Sequence, residues 1–140
     1  MIKRLLVLAL VAAAAVAFVA WPRISDVETG RTPEYPDLKD RDYGASEEAV
    51  AKAAREALSS LPRWSYVGSA SGPGGTRIQA VHTTRVFRFK DDVTITLRPA
   101  GGRTRVSVRS RSRMGKWDFG QNARNIRELL AELDRRLSSR

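Results

Sequence analysis

The chain has 140 residues, 42% of them hydrophobic, enough for one domain with a core of its own and too few for two. Lysine and arginine number 25 against 15 acids, a net charge of +10, and cysteine is absent. That absence excludes disulfides, thiolate nucleophiles, Cys-based zinc or iron–sulfur sites and an acylated N-terminal cysteine anchor, while leaving the redox compartment open.

The N-terminus sets the expected compartment. Lys3 and Arg4 precede an unbroken apolar run from Leu5 to Trp21, which Pro22 ends. At about 1.5 Å per residue the run reaches roughly 26 Å, slightly less than a hydrocarbon core of about 30 Å. Positive charge at its start favours a cytoplasmic N-terminus, so residues 1–22 read as a signal anchor crossing the cell membrane once through residues 5–21, with the domain outside the cytoplasm. Ala15-Val16-Ala17 also fits a signal-peptidase site. Cleavage there would leave a secreted or periplasmic protein.

Residues 23–45 change character. Pro33 and Pro36, no apolar periodicity, and the acids Asp26, Glu28, Glu34, Asp37, Asp40 and Asp42 read as an acidic linker. The alternative is a strap, with Tyr35, Pro36, Leu38 and Tyr43 lying in a groove of the basic domain.

The folded domain is expected over residues 46–140. Ser46 as N-cap, Glu47 and Glu48 in the first turn, and Val50, Ala53, Ala54, Ala57, Leu58 and Leu61 at helical spacing predict a helix that Pro62 closes. Trp64, Tyr66 and Val67 read as a short strand, and Ser71–Gly75 as a turn. Between Arg77 and Lys90 the parity slips: Ile78, Ala80, His82 and Val86 share one side and Phe87 and Phe89 the other, predicting a bulge or bend near Thr84. Val93, Ile95 and Leu97 alternate with polar residues, Gly101-Gly102 makes a turn, and a strand from Arg103 to about Arg113 carries Val106 and Val108 inward and arginines outward. A last helix is predicted with Asp118 as N-cap and Gln121 three residues on, an apolar stripe of Ala123, Ile126, Leu129, Leu130, Leu133 and Leu137, and Arg135, Arg136 and Arg140 near its end. The order of elements predicts a two-layer α+β domain, an antiparallel sheet flanked by an N-terminal and a C-terminal helix and preceded by the N-terminal apolar segment.

Three runs carry a resemblance: Phe89-Lys90-Asp91-Asp92-Val93, then Val108-Arg109-Ser110-Arg111-Ser112-Arg113-Met114-Gly115, then Asp118-Phe119-Gly120-Gln121-Asn122, with Trp64 and Tyr35-Pro36 upstream. Together they resemble the bacterial and plastid family catalogued as domain of unknown function 1499, over roughly the last hundred residues. The resemblance implies an extracytoplasmic or organellar setting and supplies no activity, cofactor or catalytic residue.

The chemistry on offer is mainly cationic. Arg98, Arg103, Arg105, Arg109, Arg111, Arg113 and Lys116 stand with no acid between Arg98 and Trp117, and guanidinium forks two residues apart suit phosphate or carboxylate. Arg109, Arg111 and Arg113 are the expected ligand contacts, with Asp118 and Asn122 shaping the loop beside them. The plain alternative is a solvated face whose arginines pair with Asp91, Asp92, Glu128 or Asp134. Anionic lipid, acidic glycan or an acidic protein surface are the partners a basic domain beside a membrane would meet. Nucleic acid fits poorly, because the stripe lacks interleaved aromatic platforms. A small hydrolase would draw on Asp91, Asp92 or Asp118, but adjacent Asp91 and Asp92 on a strand point to opposite faces. No nucleophile elbow, zinc-spaced set or phosphate-binding glycine loop occurs, so no cofactor, metal or catalytic residue is assigned. His82 lies on the apolar parity, where a core role is expected. An assembly factor in an envelope complex is a third reading.

Overall fold

The apolar N-terminal run forms one helix, α1 (Ile2–Ala20), in the computed structural model, which describes residues 1–138. Its best window has a mean hydropathy of 2.3 and none of its residues is buried. Nineteen residues rise about 28 Å, so the helix is long and apolar enough to be a membrane span or a signal.

Local signals then place each element. Ser46 Oγ accepts from the Ala49 N–H and starts α2 (Glu47–Ser60), whose first turn holds Glu47 and Glu48. Leu61 is extended, as a residue before proline prefers, and the helix stops. Four long strands follow: β3 (Trp64–Gly72), β4 (Gly75–Thr83), β5 (Lys90–Ala100) and β6 (Arg103–Ser112). They form an antiparallel meander. Gly101 and Gly102, both at positive φ, make the two-residue turn between β5 and β6 that right-twisted strands favour. The last helix, α3 (Gln121–Ser138), closes the chain, and Arg140 lies outside the described residues.

One face of the sheet is buried and the other is open. Ile78, Ala80, Val93, Ile95, Leu97, Val106 and Val108 point inward and are at most 1% exposed. Both α2 and α3 pack on that face and on each other. The alanines of α2, Ala53, Ala54 and Ala57, let its backbone approach closely, while Ile126, Leu129, Leu130 and Leu133 of α3 fill the volume. Each fully buried aliphatic side chain contributes about 1.5–3 kcal/mol. This is the two-layer α+β architecture expected.

Two expectations need correction. Residues 23–45 do not stand off as a linker: β1 (Asp26–Glu28) and β2 (Arg41–Tyr43) both pair antiparallel with β6, completing the sheet edge. Val27 and Leu38 enter the core, Tyr43 donates to Asp134 Oδ1 at 2.6 Å, and Thr29 donates to Asp40 at 2.6 Å while accepting from the Val108 N–H. Burial and the Asp134 carboxylate hold the Tyr43 phenol far above its ordinary pKa. Strands this short carry too few residues to show a period. Second, of the bulge or bend expected near Thr84 the structure has the bend, and the segment is not one strand. β4 ends at Thr83, residues 84–89 form the turn to β5, and the Thr84 hydroxyl accepts from the Phe89 N–H at 2.8 Å. The sheet's bulge lies in β3, between Tyr66 and Gly68.

Candidate functional site

The open face of the sheet carries the arginines, because β6 alternates Val106 and Val108 inward with Arg105, Ser107, Arg109, Arg111 and Arg113 outward. The register sets Arg111 between Asp26 of β1 and Asp92 of β5. Its neighbours take those carboxylates. Arg109 grips Asp26 with two bonds of 2.8 and 2.5 Å, and Arg113 grips Asp92 with Nη2 at 2.7 Å. Arg105 makes the same bidentate contact with Asp42 at 2.8 and 3.0 Å, and Arg103 donates to the Asp42 carbonyl. The solvated pairing weighed for this stripe is therefore real, with Asp26 and Asp42 as partners that the linker reading hid. Glu128 and Asp134 go elsewhere, to Trp64 and to Tyr43 and Arg41.

Among the arginines flanked by these pairs, Arg111 is left over. Arg111 has no ion-pair partner among the described residues, although its charge helps to hold the Asp26 carboxyl below the ordinary range, after the larger effect of the Arg109 hydrogen bonds. Arg77 and Arg98 are likewise unpaired and line a shallow hollow of about 400 Å³ beside the Gly72–Gly75 turn. All these pairs are about half exposed, so solvent screens them and each adds little stability.

A pH effect follows for Asp26. A folded pKa below 3.8 means that its share of stability is present above that value and is lost as pH falls through the folded pKa. The urea midpoints of the parent and of Asp26→Asn should differ near neutral pH and converge in acid once the pH is below the folded pKa. A constant gap down to that pH would show that the pair contributes nothing through ionisation.

Beneath the end of β6 lies a capped turn. Asp118 was expected as the N-cap with Gln121 closing a box; instead α3 begins at Gln121, and Asp118 reaches over the intervening turn. Its Oδ1 accepts from the Gly120 N–H at 2.8 Å and its Oδ2 from the Asn122 N–H at 3.0 Å. Phe119 and Gly120 both have positive φ, which puts two residues between the capping carboxylate and the first helical turn. The Gln121 amide donates not backward but to Asn125.

Asn122 is a tie within the loop and lies beneath the open face, not on it. The side chain is fully buried. Its Nδ2 lies 2.7 Å from Asp118 Oδ2, 2.8 Å from Ser112 Oγ and 3.2 Å from the Ser25 carbonyl, and its Oδ1 accepts from Ser110 at 2.6 Å. One amide thus joins β6, the chain entering β1 and the start of α3.

From Ser110 a polar chain runs inward. Asn125 Nδ2 lies 3.1 Å from Ser110 Oγ and donates to Asp91 Oδ2 at 2.8 Å, and that same oxygen is 3.6 Å from His82 Nδ1. His82 packs edge-on against Trp64 at 5.1 Å. Asp91, Asn125 and His82 are each 1% exposed. As alternation requires, Asp91 faces this interior while Asp92 faces outward to Arg113, so the two carboxylates are on opposite sides of the sheet. Among the described residues no cluster of three or more metal-ligating side chains occurs. Sequence reasoning missed Ser110 and Asn125. Their signal was parity: Ser110 continues the inward set of Val106 and Val108, and Asn125 follows Asn122 by three on the stripe that Ile126 and Leu129 continue.

No curated protein matches this sequence. Among solved structures the chain is similar to the crystal structure of TTHA0849 from Thermus thermophilus, with 16% identity and a TM-score of 0.41 over 81% of this chain and 97% of that one. The profile of a family described as "Protein of unknown function (DUF1499)" matches residues 14–133, which takes in β1, β2, the sheet and most of α3. The chain belongs to that family.

Proposed function

We propose that this protein is a binding module, anchored in the cell membrane through α1 with its domain outside the cytoplasm, or released there if α1 is cleaved, and that it takes an anionic partner on the open arginine face. One observation carries the reading: Arg111 is exposed, has no ion-pair partner among the described residues, and stands between two carboxylates already held by Arg109 and Arg113. A phosphate, sulfate or carboxylate approaching this face meets Arg111 directly, with Arg109 and Arg113 able to exchange part of their present bonding for the incoming oxygens. Anionic lipid, acidic glycan and acidic protein all present such groups. Asp118 and Asn122 set the turn next to it from within. A binding role rather than hydrolysis is supported by the engagement of all three candidate aspartates: Asp91 is buried, Asp92 is paired and Asp118 caps a helix.

The test uses the full chain in neutral detergent, titrated with heparin and with short-chain phosphatidylglycerol as probes while the melting temperature is followed. Saturation at about a hundred times Kd adds roughly 2.7 kcal/mol. Arg111→Ala should leave the unliganded melting temperature in place and weaken binding about five- to tenfold, the effect of losing roughly 1–1.4 kcal/mol at an exposed charged contact. Unchanged affinity at unchanged stability would remove Arg111 from the site.

A further inference from the structure

The end of the sheet nearest α1 carries most of the large exposed hydrophobic side chains of the domain. β1 begins there, β4 ends, β5 begins, β6 ends and α3 begins; the Arg113 N–H bonds the Lys90 carbonyl, and Asp26 pairs with Arg111. Two loops therefore emerge side by side, residues 84–89 and residues 113–120. Of the seven large hydrophobic residues exposed beyond Trp21 among the described residues, five lie on them: Val86, Phe87, Phe89, Met114 and Phe119. Phe87 and Phe89 stack at 5.5 Å, and Val86, Phe87 and Phe89 are 78%, 75% and 44% exposed. Arg85, Arg88 and Lys116 alternate with these apolar residues, and all three are exposed. Apolar tips ringed by cations are the chemistry of an anionic bilayer surface, where rings enter the interface and cations meet phosphate.

The tether leaves this end no room to move away. Only residues 21–25 separate α1 from β1, at most about 18 Å even fully extended. They are not extended. Trp21 packs against Gly120, the Asp118 N–H bonds the Ile24 carbonyl at 3.2 Å, and the Ser25 carbonyl accepts from Ser112 and Asn122. Phe18, in the last turn of α1, meets the Trp117 ring edge-on at 5.0 Å. A headgroup layer is about 5–8 Å deep on each side of the hydrocarbon, so an end bound this closely to a spanning helix sits in it.

We infer that the loops 84–89 and 113–120 form a membrane-docking surface that presses into the leaflet from which α1 emerges, with Val86, Phe87 and Phe89 at the depth of the headgroups and Arg85, Arg88 and Lys116 on anionic lipid. The inference rests on α1 being a membrane anchor, and goes beyond the anion-binding face by fixing how the domain stands on the bilayer. Docking turns the open sheet face edge-on to the membrane, with Arg111 and Arg113 near the lipid and the Gly72–Gly75 and Gly101-Gly102 turns farthest from it.

The native chain has no cysteine, so single labels report single sites. Full-length Val86→Cys and, as the distal reference, Gly74→Cys, whose position has open space around it, are labelled with a small polarity-sensitive fluorophore and reconstituted in phosphatidylcholine vesicles with about a third phosphatidylglycerol. A nitroxide on the lipid headgroup or shallow acyl chain should quench the label at 86 at least threefold more than the label at 74. Adding Phe87→Ser and Phe89→Ser should bring quenching at 86 down towards that at 74, and so should pure phosphatidylcholine, in part. Failure of the chain to float with the vesicles would overturn both the anchor and the docking. Flotation with equal quenching at the two sites, or quenching indifferent to the two serine substitutions, would overturn docking alone. Shielding of the label at 86 from aqueous iodide without quenching by lipid would show a protein cover, such as a second copy of the chain, and would equally overturn it.

Discussion

Asp91→Ala should destabilise the protein by about 3–5 kcal/mol, the range found when one member of a buried, hydrogen-bonded charged group is deleted. The carboxylate is 1% exposed and takes the Asn125 amide at 2.8 Å while facing His82 Nδ1 at 3.6 Å. With alanine, Asn125 Nδ2 keeps only Ser110 Oγ, and His82 Nδ1, which has no hydrogen-bond partner even in the parent, loses the carboxylate 3.6 Å away, so the desolvated polar groups of the core lose the acceptor between them. Because Ser110 also binds Asn122, the disturbance reaches the turn through shared partners and adds to the local loss. Asp91→Asn keeps an oxygen for Asn125 and should lose clearly less. Urea unfolding of the parent and both variants is the check; a midpoint loss for Asp91→Ala worth under 1 kcal/mol would mean that the polar chain is energetically idle. The same pair of variants bears on Asp91 as a hydrolytic residue, since a buried structural carboxylate shows its loss in stability first.

Much of this fold could be read from the sequence because its long elements bury one face each. The alternation of Val93, Ile95 and Leu97, the stripe from Ala123 to Leu133, and the Ser46 and Gly101-Gly102 signals each agree with the structure for the reason given. What escaped was non-local. β1 and β2 have three residues each, one inward side chain apiece, and neither exists except by pairing with β6, more than sixty residues away. The arginine stripe was visible as composition, but its pairing was not, because Asp26 and Asp42 looked like linker charge until the edge strands set them against Arg109 and Arg105. Asp118 and Asn122 were recognisable as turn residues from type and spacing; that Asn122 is interior depended on the chain before β1 crossing above it through Ser25.

The decisive test of those edge strands is Val27→Asp. Val27 is the central residue of β1, 0% exposed, and its neighbours Asp26 and Glu28 point the other way. An ionised carboxylate at that position enters the apolar cluster formed by β6 and α3, and neutralising it instead still leaves a polar group in place of two methyls. The expected loss exceeds about 4 kcal/mol, the range reserved for a buried unpaired charge, and is a large share of the 5–15 kcal/mol that holds a domain of this kind together. Glu28→Gln, one residue on and on the open side, should stay within about 1 kcal/mol. Were residues 23–45 a spacer, both substitutions would fall within about 0.5 kcal/mol of the parent, as surface changes do. The difference has a consequence for the arginine face. β1 supplies the carboxylate that orients Arg109 beside Arg111, and the chain entering β1 holds the capped turn through Ser25, so freeing this edge loosens the proposed anion site and the membrane-facing loops together. Hydrogen exchange on Val27→Asp should therefore show protection lost first in residues 21–30 and 110–122; loss spread evenly over β3 and β4 as well would mean that the edge strand is inseparable from the rest of the sheet.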